Sequence, residues 1–422
     1  MSNKENNTSV IQQLTRKKAP NLLAFSLTFG CTIMVVSSVV QATDLQIYAP
    51  EAAGQKTIVL MLDTSGSMGS VDSSAKASYS NRDDFNSIYK DYGIGRDCRT
   101  DATGNNVSSG TTPAYIRKFC TVNYSTNPSS NYQKLKETCE IQPNNGGLRC
   151  YDRLTRLKDG LFSFLNSSDG DARNLIPDAE ANISEVFVGI GNFSANGDGR
   201  SAQIIVPAKK LEALMSGQRV ALKTAVAGLT ASNGTPSAHA FAEAASYLMG
   251  TTSYSNASYS GMGASKRNDA SNPGIIVDRS VADDKAQYQS PLPSEENKAS
   301  CDGQGVYFLS DGQPNSSSDA IAGSMMQKSL GNKGSTFSCS NDLANTDSAS
   351  AWRCMGAYAK TLFNPATNPK GRSIQTAFVG FGSEFAGNPT SASRDIQNAC
   401  RISSRAYNDS NGNPPDDKCS PN

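Results

Sequence analysis

Thr57 to Leu62 reads Thr-Ile-Val-Leu-Met-Leu, and Asp63-Thr64-Ser65-Gly66-Ser67-Met68 follows without a gap. A continuous apolar and β-branched run, without alternation, predicts a strand covered on both faces, the pattern of a parallel sheet between helix layers. In open α/β sheets, ligands sit beyond the carboxyl ends of such strands. One carboxylate and two hydroxyls at alternate positions there supply hard oxygen donors suited to Mg²⁺, Mn²⁺ or Ca²⁺. Taken alone, D-x-S-x-S equally describes a polar strand-to-helix turn.

Two further segments have the chemistry to complete a cation site. Asn233-Gly234-Thr235-Pro236 opens a helix predicted over 236–249. Thr235 can cap it, Pro236 suits its first position and Gly250 stops it. Ala238, Phe241, Ala242, Ala245 and Leu248 form its apolar face. Gly305 to Ser310 is a second buried-type strand, and Asp311 follows it as Asp63 follows the first. Together the three segments resemble the metal-ion-dependent adhesion site of von Willebrand factor A domains. In that family D-x-S-x-S, a threonine and an aspartate after the fourth strand hold one divalent cation. The resemblance implies Asp63, Ser65, Ser67, Thr235 and Asp311 as the metal ligands here, with Mg²⁺ foremost and Mn²⁺ or Ca²⁺ as alternatives.

Strand and helix signals alternate along the rest of the chain, which predicts a doubly wound, Rossmann-like α/β domain. Strands are expected at 57–62, 185–190, 203–206, 305–310 and 374–380. Helices are expected at 151–165, 208–229, 236–249, 318–329, 352–363 and 393–407. Two stretches interrupt this alternation, at about 70–150 and 251–303. Both are rich in Ser, Asn and Tyr, and the first carries Cys98, Cys120, Cys139 and Cys150. Structureless loops of this length are usually functional or stapled. Both insertions are expected to leave from the end of the sheet that holds the cation and to build its rim. The Asp409–Asp417 stretch reads as a polar tail.

Arg16, Lys17 and Lys18 precede an apolar run from Leu22 to Val40 and then Val40-Gln41-Ala42. This is the layout of a secretory signal peptide over 1–42, cleaved after Ala42. An uncleaved anchor is the alternative, because the run approaches the roughly 20 residues that span a bilayer. The A-like domain then occupies 43–422. Of ten cysteines, Cys31 would leave with the leader, and the others form no C-x-x-C pair. In an exported chain they point to disulfides. Cys139–Cys150 and Cys98–Cys120 are the local candidates. The net charge of +1, with no basic stripe, gives no sign of a nucleic-acid partner.

Thr43-Asp44-Leu45-Gln46-Ile47-Tyr48-Ala49-Pro50, followed by Lys56 to Met68, is similar to the start of the PilY/PilC/ComC family of type IV pilus tip adhesins and assembly factors. The resemblance covers the N-terminal half of that family, and its C-terminal β-propeller has no counterpart in these residues. It implies an extracellular, metal-dependent binding module acting in adhesion, whose partner offers an acidic residue. Docking of minor pilins during pilus assembly is the alternative, and contact with the membrane is expected only during export. No enzymatic role is expected. The sole histidine, His239, falls inside the 236–249 helix at a spacing that pairs it with Glu243, and it reads as a surface residue.

Overall fold

The computed structural model describes residues 54–69, 96–101, 115, 117–122, 139–141, 147–165, 186–194, 199–211, 217–270, 274–295, 302–311, 314–340, 343–380 and 394–404. The expected leader over 1–42, the 43–50 motif, much of 70–150 and the 409–417 tail lie outside them.

Strand β1 (Lys56–Asp63) is the centre of a five-stranded sheet. Its neighbours are β6 (Val186–Phe193) and β8 (Gly303–Ser310), both parallel to it. Strand β9 (Ile374–Gly380) extends the parallel set beyond β8. Strand β7 (Ala202–Lys210) closes the other edge, antiparallel to β6. Ile58, Val59, Met61 and Leu62 are all buried, as a run covered on both faces requires. The chain is thus α/β with a mostly parallel central sheet flanked by helices.

The helices are α1 (Arg153–Leu165), α2 (Gly217–Gly228), α3 (Ser237–Met249), α4 (Met262–Asp269), α5 (Asp319–Ser329), α6 (Trp352–Phe363) and α7 (Arg394–Ile402). Aromatic rings bind the layers together. Phe308 of β8 meets Phe241 of α3 edge-on at 5.2 Å between centroids, and Phe241 in turn meets Tyr358 of α6 at 5.0 Å.

The structure departs from the sequence reading in four places. The helix expected from 208 begins at Gly217, because β7 runs on to Lys210. Ile204, Val206 and Ala208 turn inward at the strand period of two, and Pro207 is tolerated because it falls at a register shift in an edge strand. Thr235 does not cap α3. Pro236 takes the N-cap place without a side-chain bond, although Gly250 ends the helix in the left-handed region as expected. The helix α3 is buried all round rather than on one face, and His239 is fully buried rather than on the surface.

The fourth departure explains the third. The 251–303 insertion starts and ends at the amino-terminal edge of the sheet, since β8 begins at Gly303 opposite Lys56. It then climbs back along α3 and covers the face expected to meet solvent. Gly261 packs so tightly on the carbonyl of Ala202 that a Cβ would fall 1.3 Å from that oxygen, so only glycine fits. Tyr259 stands edge-on to His239 at 5.4 Å, and the His239 Nδ1 is 2.7 Å from the carbonyl oxygen of Arg200. Glu243, instead of pairing with His239, accepts hydrogen bonds from Ser253 Oγ at 2.5 Å, from the amide of Gly261 at 3.1 Å and from Tyr288.

The first insertion contributes a separate antiparallel sheet of β2 (Arg96–Asp101), β3 (Arg117–Val122), β4 (Glu140–Ile141) and β5 (Leu148–Tyr151), in the order β2-β3-β5-β4. The expected Cys139–Cys150 disulfide is present. Cys98 and Cys120 are register partners in β2 and β3. Cys339–Cys354, which the spacing did not single out, is also bonded, and two such bridges favour an oxidising compartment. Among the described residues no helix is long and apolar enough to cross a membrane.

Candidate metal centre

The five residues read from the sequence lie at the carboxyl-terminal edge of the parallel strands, Asp63 as the last residue of β1 and the other four on three loops. The loop after β1 turns through a short 3-10 segment, Gly66–Gly69. It is tied to the loop before α3 by two backbone bonds, from the Gly66 amide to the Asn233 carbonyl (2.7 Å) and from the Ser232 amide to the Thr64 carbonyl (2.8 Å). The loop after β8 joins the same knot, for the Thr235 amide donates to Asn315 Oδ1 at 2.8 Å and the Asn315 amide donates to the Thr235 carbonyl at 2.9 Å. Asn233 and Ser316 hold positive φ angles of 58° and 61° in these loops, as does Ser194 (64°) just after β6, whose Oγ donates to the Ser232 carbonyl at 2.8 Å. Non-glycine residues enter that region at a cost, and such strain gathers at functional sites.

Four of the five side chains form one connected group. Ser65 Oγ and Ser67 Oγ are 2.9 Å apart, and Ser67 Oγ donates to Asp311 Oδ1 at 3.0 Å. Asp63 accepts from the Ser65 amide at 2.8 Å on Oδ1 and from Ser310 Oγ at 2.7 Å on Oδ2. Thr235 is buried and joins through its backbone, with no hydrogen bond from its hydroxyl to the other four. Both aspartates are fully buried, whereas Ser67 is half-buried and Gly66 exposed, so the group lies just beneath the surface.

Two members were not visible in the sequence. Ser310 precedes Asp311 and appears there only as the last residue of a strand. Arg153, the first residue of α1, places Nη1 2.6 Å from Asp311 Oδ2, with the arginine side chain 2% exposed and the aspartate 0%. A polar residue at a strand end was the available signal for Ser310. Nothing local marked Arg153, since its partner is 158 residues away.

A buried carboxylate requires hydrogen bonds and a compensating charge. Asp311 has the Arg153 guanidinium. Asp63 has only neutral partners in the amide and hydroxyl of Ser65 and the hydroxyl of Ser310, and burial, then the charge of Asp311, pushes its carboxyl up to about 7. Its environment therefore asks for a proton or a cation. Among the described residues, no group of three or more His, Cys, Asp and Glu side chains is placed to hold a metal ion. The present group has two carboxylates, and its other donors are hydroxyls. Hard oxygens of this kind, with few carboxylates, fit Mg²⁺, which keeps several waters.

Compared with known proteins, the chain matches no family model, no curated protein and no solved structure.

Proposed function

We propose that the chain is a von Willebrand factor A-type binding module with two long insertions. It would be exported to the cell surface and act in adhesion at the tip of a type IV pilus. One observation carries the reading: Asp63, Ser65, Ser67 and Asp311, taken from two strands 248 positions apart, meet in one hydrogen-bonded group at the ligand-binding edge of a parallel sheet. Ser65 and Ser67 would hold a divalent cation directly, with Asp63, Thr235 and Asp311 direct or through water. When bound, the cation would offer a coordination position to one carboxylate oxygen of a partner protein. Neutral hydroxyl ligands leave the ion with much of its charge, which favours an acidic partner residue. The role proposed is binding rather than catalysis.

The pilus assignment is supported by the residues around 43–68 and by the cysteine-bearing insertion between β1 and α1. It is tested by binding of the purified chain to isolated cells or matrix, with and without chelator. Binding is expected to vanish in EDTA, return with Mg²⁺ or Mn²⁺, and be lost in Ser65→Ala. Unchanged binding under all three conditions contradicts the reading. Loss of pili on deletion, with no binding by the purified chain, would place it in pilus assembly instead.

A further inference from the structure

Among the described residues, Arg153 is the cationic side chain bonded to either site carboxylate. Its Nη1 lies 2.6 Å from Asp311 Oδ2 and 3.5 Å from the Asp311 carbonyl oxygen. Asp311 thereby divides its oxygens: Oδ1 faces Ser67 and the rest of the group, while Oδ2 is held by the guanidinium. We propose that Arg153 is the internal counter-cation of this site, competing with a divalent ion for Asp311 and so setting how tightly that ion is held. The inference rests on the metal-site reading above.

The competition cannot be relieved by deprotonation, because a guanidinium keeps its charge at any working pH. Nor does solvent damp it, since both side chains are buried. The backbone that carries Arg153 is pinned as well. The Asp152 amide donates to the Lys118 carbonyl at 3.0 Å, the Thr155 amide to Asp152 Oδ1 at 2.7 Å, and the Lys118 amide to Thr155 Oγ1 at 3.0 Å. The antiparallel sheet of the first insertion thus delivers the guanidinium to the edge of the parallel sheet.

Charge follows from this geometry. Among the described residues, two ionised carboxylates and one guanidinium give the group a single net negative charge. A divalent ion would turn that into a single net positive charge, which an anionic occupant cancels. Arg153 therefore weakens the hold on a bare ion and favours a carboxylate as the completing ligand.

Mg²⁺ titration calorimetry on the full chain, stripped with chelator, tests this in wild type, Arg153→Gln and Arg153→Lys. Arg153→Gln is expected to bind Mg²⁺ roughly tenfold more tightly, about 1.4 kcal/mol. The same variant without metal should unfold at a lower temperature, because Asp311 is left buried without its counter-charge. Opposite movements of affinity and stability are not what general damage produces. Arg153→Lys keeps the charge and should bind like wild type. If metal-free Arg153→Gln does not fold, protein purified in Mg²⁺ is challenged with EDTA, and the variant should release its ion more slowly. Equal or weaker binding in Arg153→Gln, or equal tightening in Arg153→Lys, overturns the inference. A folded wild type that binds no Mg²⁺ instead overturns the metal-site reading beneath it.

Discussion

Asp63 holds a fully buried carboxyl whose hydrogen-bond donors, the Ser65 amide and the Ser65 and Ser310 hydroxyls, are all neutral. Burial and the neighbouring Asp311 push it up to about 7 from an ordinary 3.8. Since the folded value exceeds the unfolded one, the metal-free fold gains from protonation of this group. That contribution is complete below about pH 4 and is lost as pH rises through about 7. Metal-free wild type should therefore lose stability relative to Asp63→Asn across this window, by at most about 1.4 kcal/mol per pH unit. Urea unfolding of both proteins in chelator, at several pH values between about 4 and 8, checks this; parallel profiles would contradict it. The site residues divide by how local their signal is. Asp63, Ser65 and Ser67 are legible because strand and loop are contiguous, and Asp311 because it repeats that arrangement. Arg153 and Ser310 act on partners 158 and 247 residues away, and sequence spacing carries no information about such contacts.

Among the elements, α3 shows how a covering insertion changes what a helix must do. Glu243 is its anchor to the 251–295 segment: Ser253, the Gly261 amide and Tyr288 all donate to this one carboxyl, which burial holds above the usual carboxylate range. Glu243→Ala would leave three buried donors without their acceptor. A loss of roughly 3 kcal/mol or more is expected, and Glu243→Gln should lose less. Denaturant unfolding measures both, and a near-neutral alanine variant would show that the insertion is held elsewhere. Helix α3 was legible as a helix from its apolar spacing and its terminal glycine. Its complete burial was not, because the cover comes from residues that follow it in sequence and lack periodicity. Strand β7 continues beyond Val206 because Pro207, which looks like a strand terminator in sequence, falls in an edge strand. Strand β2, Arg-Asp-Cys-Arg-Thr-Asp, has no apolar alternation to reveal it.

At the scale of the whole molecule, the mostly parallel sheet was readable from two buried-type runs, each ending in an aspartate. The path of the insertions was only half readable. The first leaves beside the candidate site and returns through Arg153 to its carboxylate. The second begins at the far edge and returns along α3, reaching the site end with Tyr259 against His239. The first therefore bears directly on the small group of oxygens beneath the surface, and the second reaches the same end of the sheet. The account stands or falls on whether that group holds a divalent ion. Calorimetric titration of Mg²⁺ into chelator-treated wild type and Asp63→Ala tests it most directly, with circular dichroism showing that both are folded. The account predicts one ion bound per wild-type chain and none in Asp63→Ala. Equal affinity in the two proteins, or no binding to folded wild type, would contradict it.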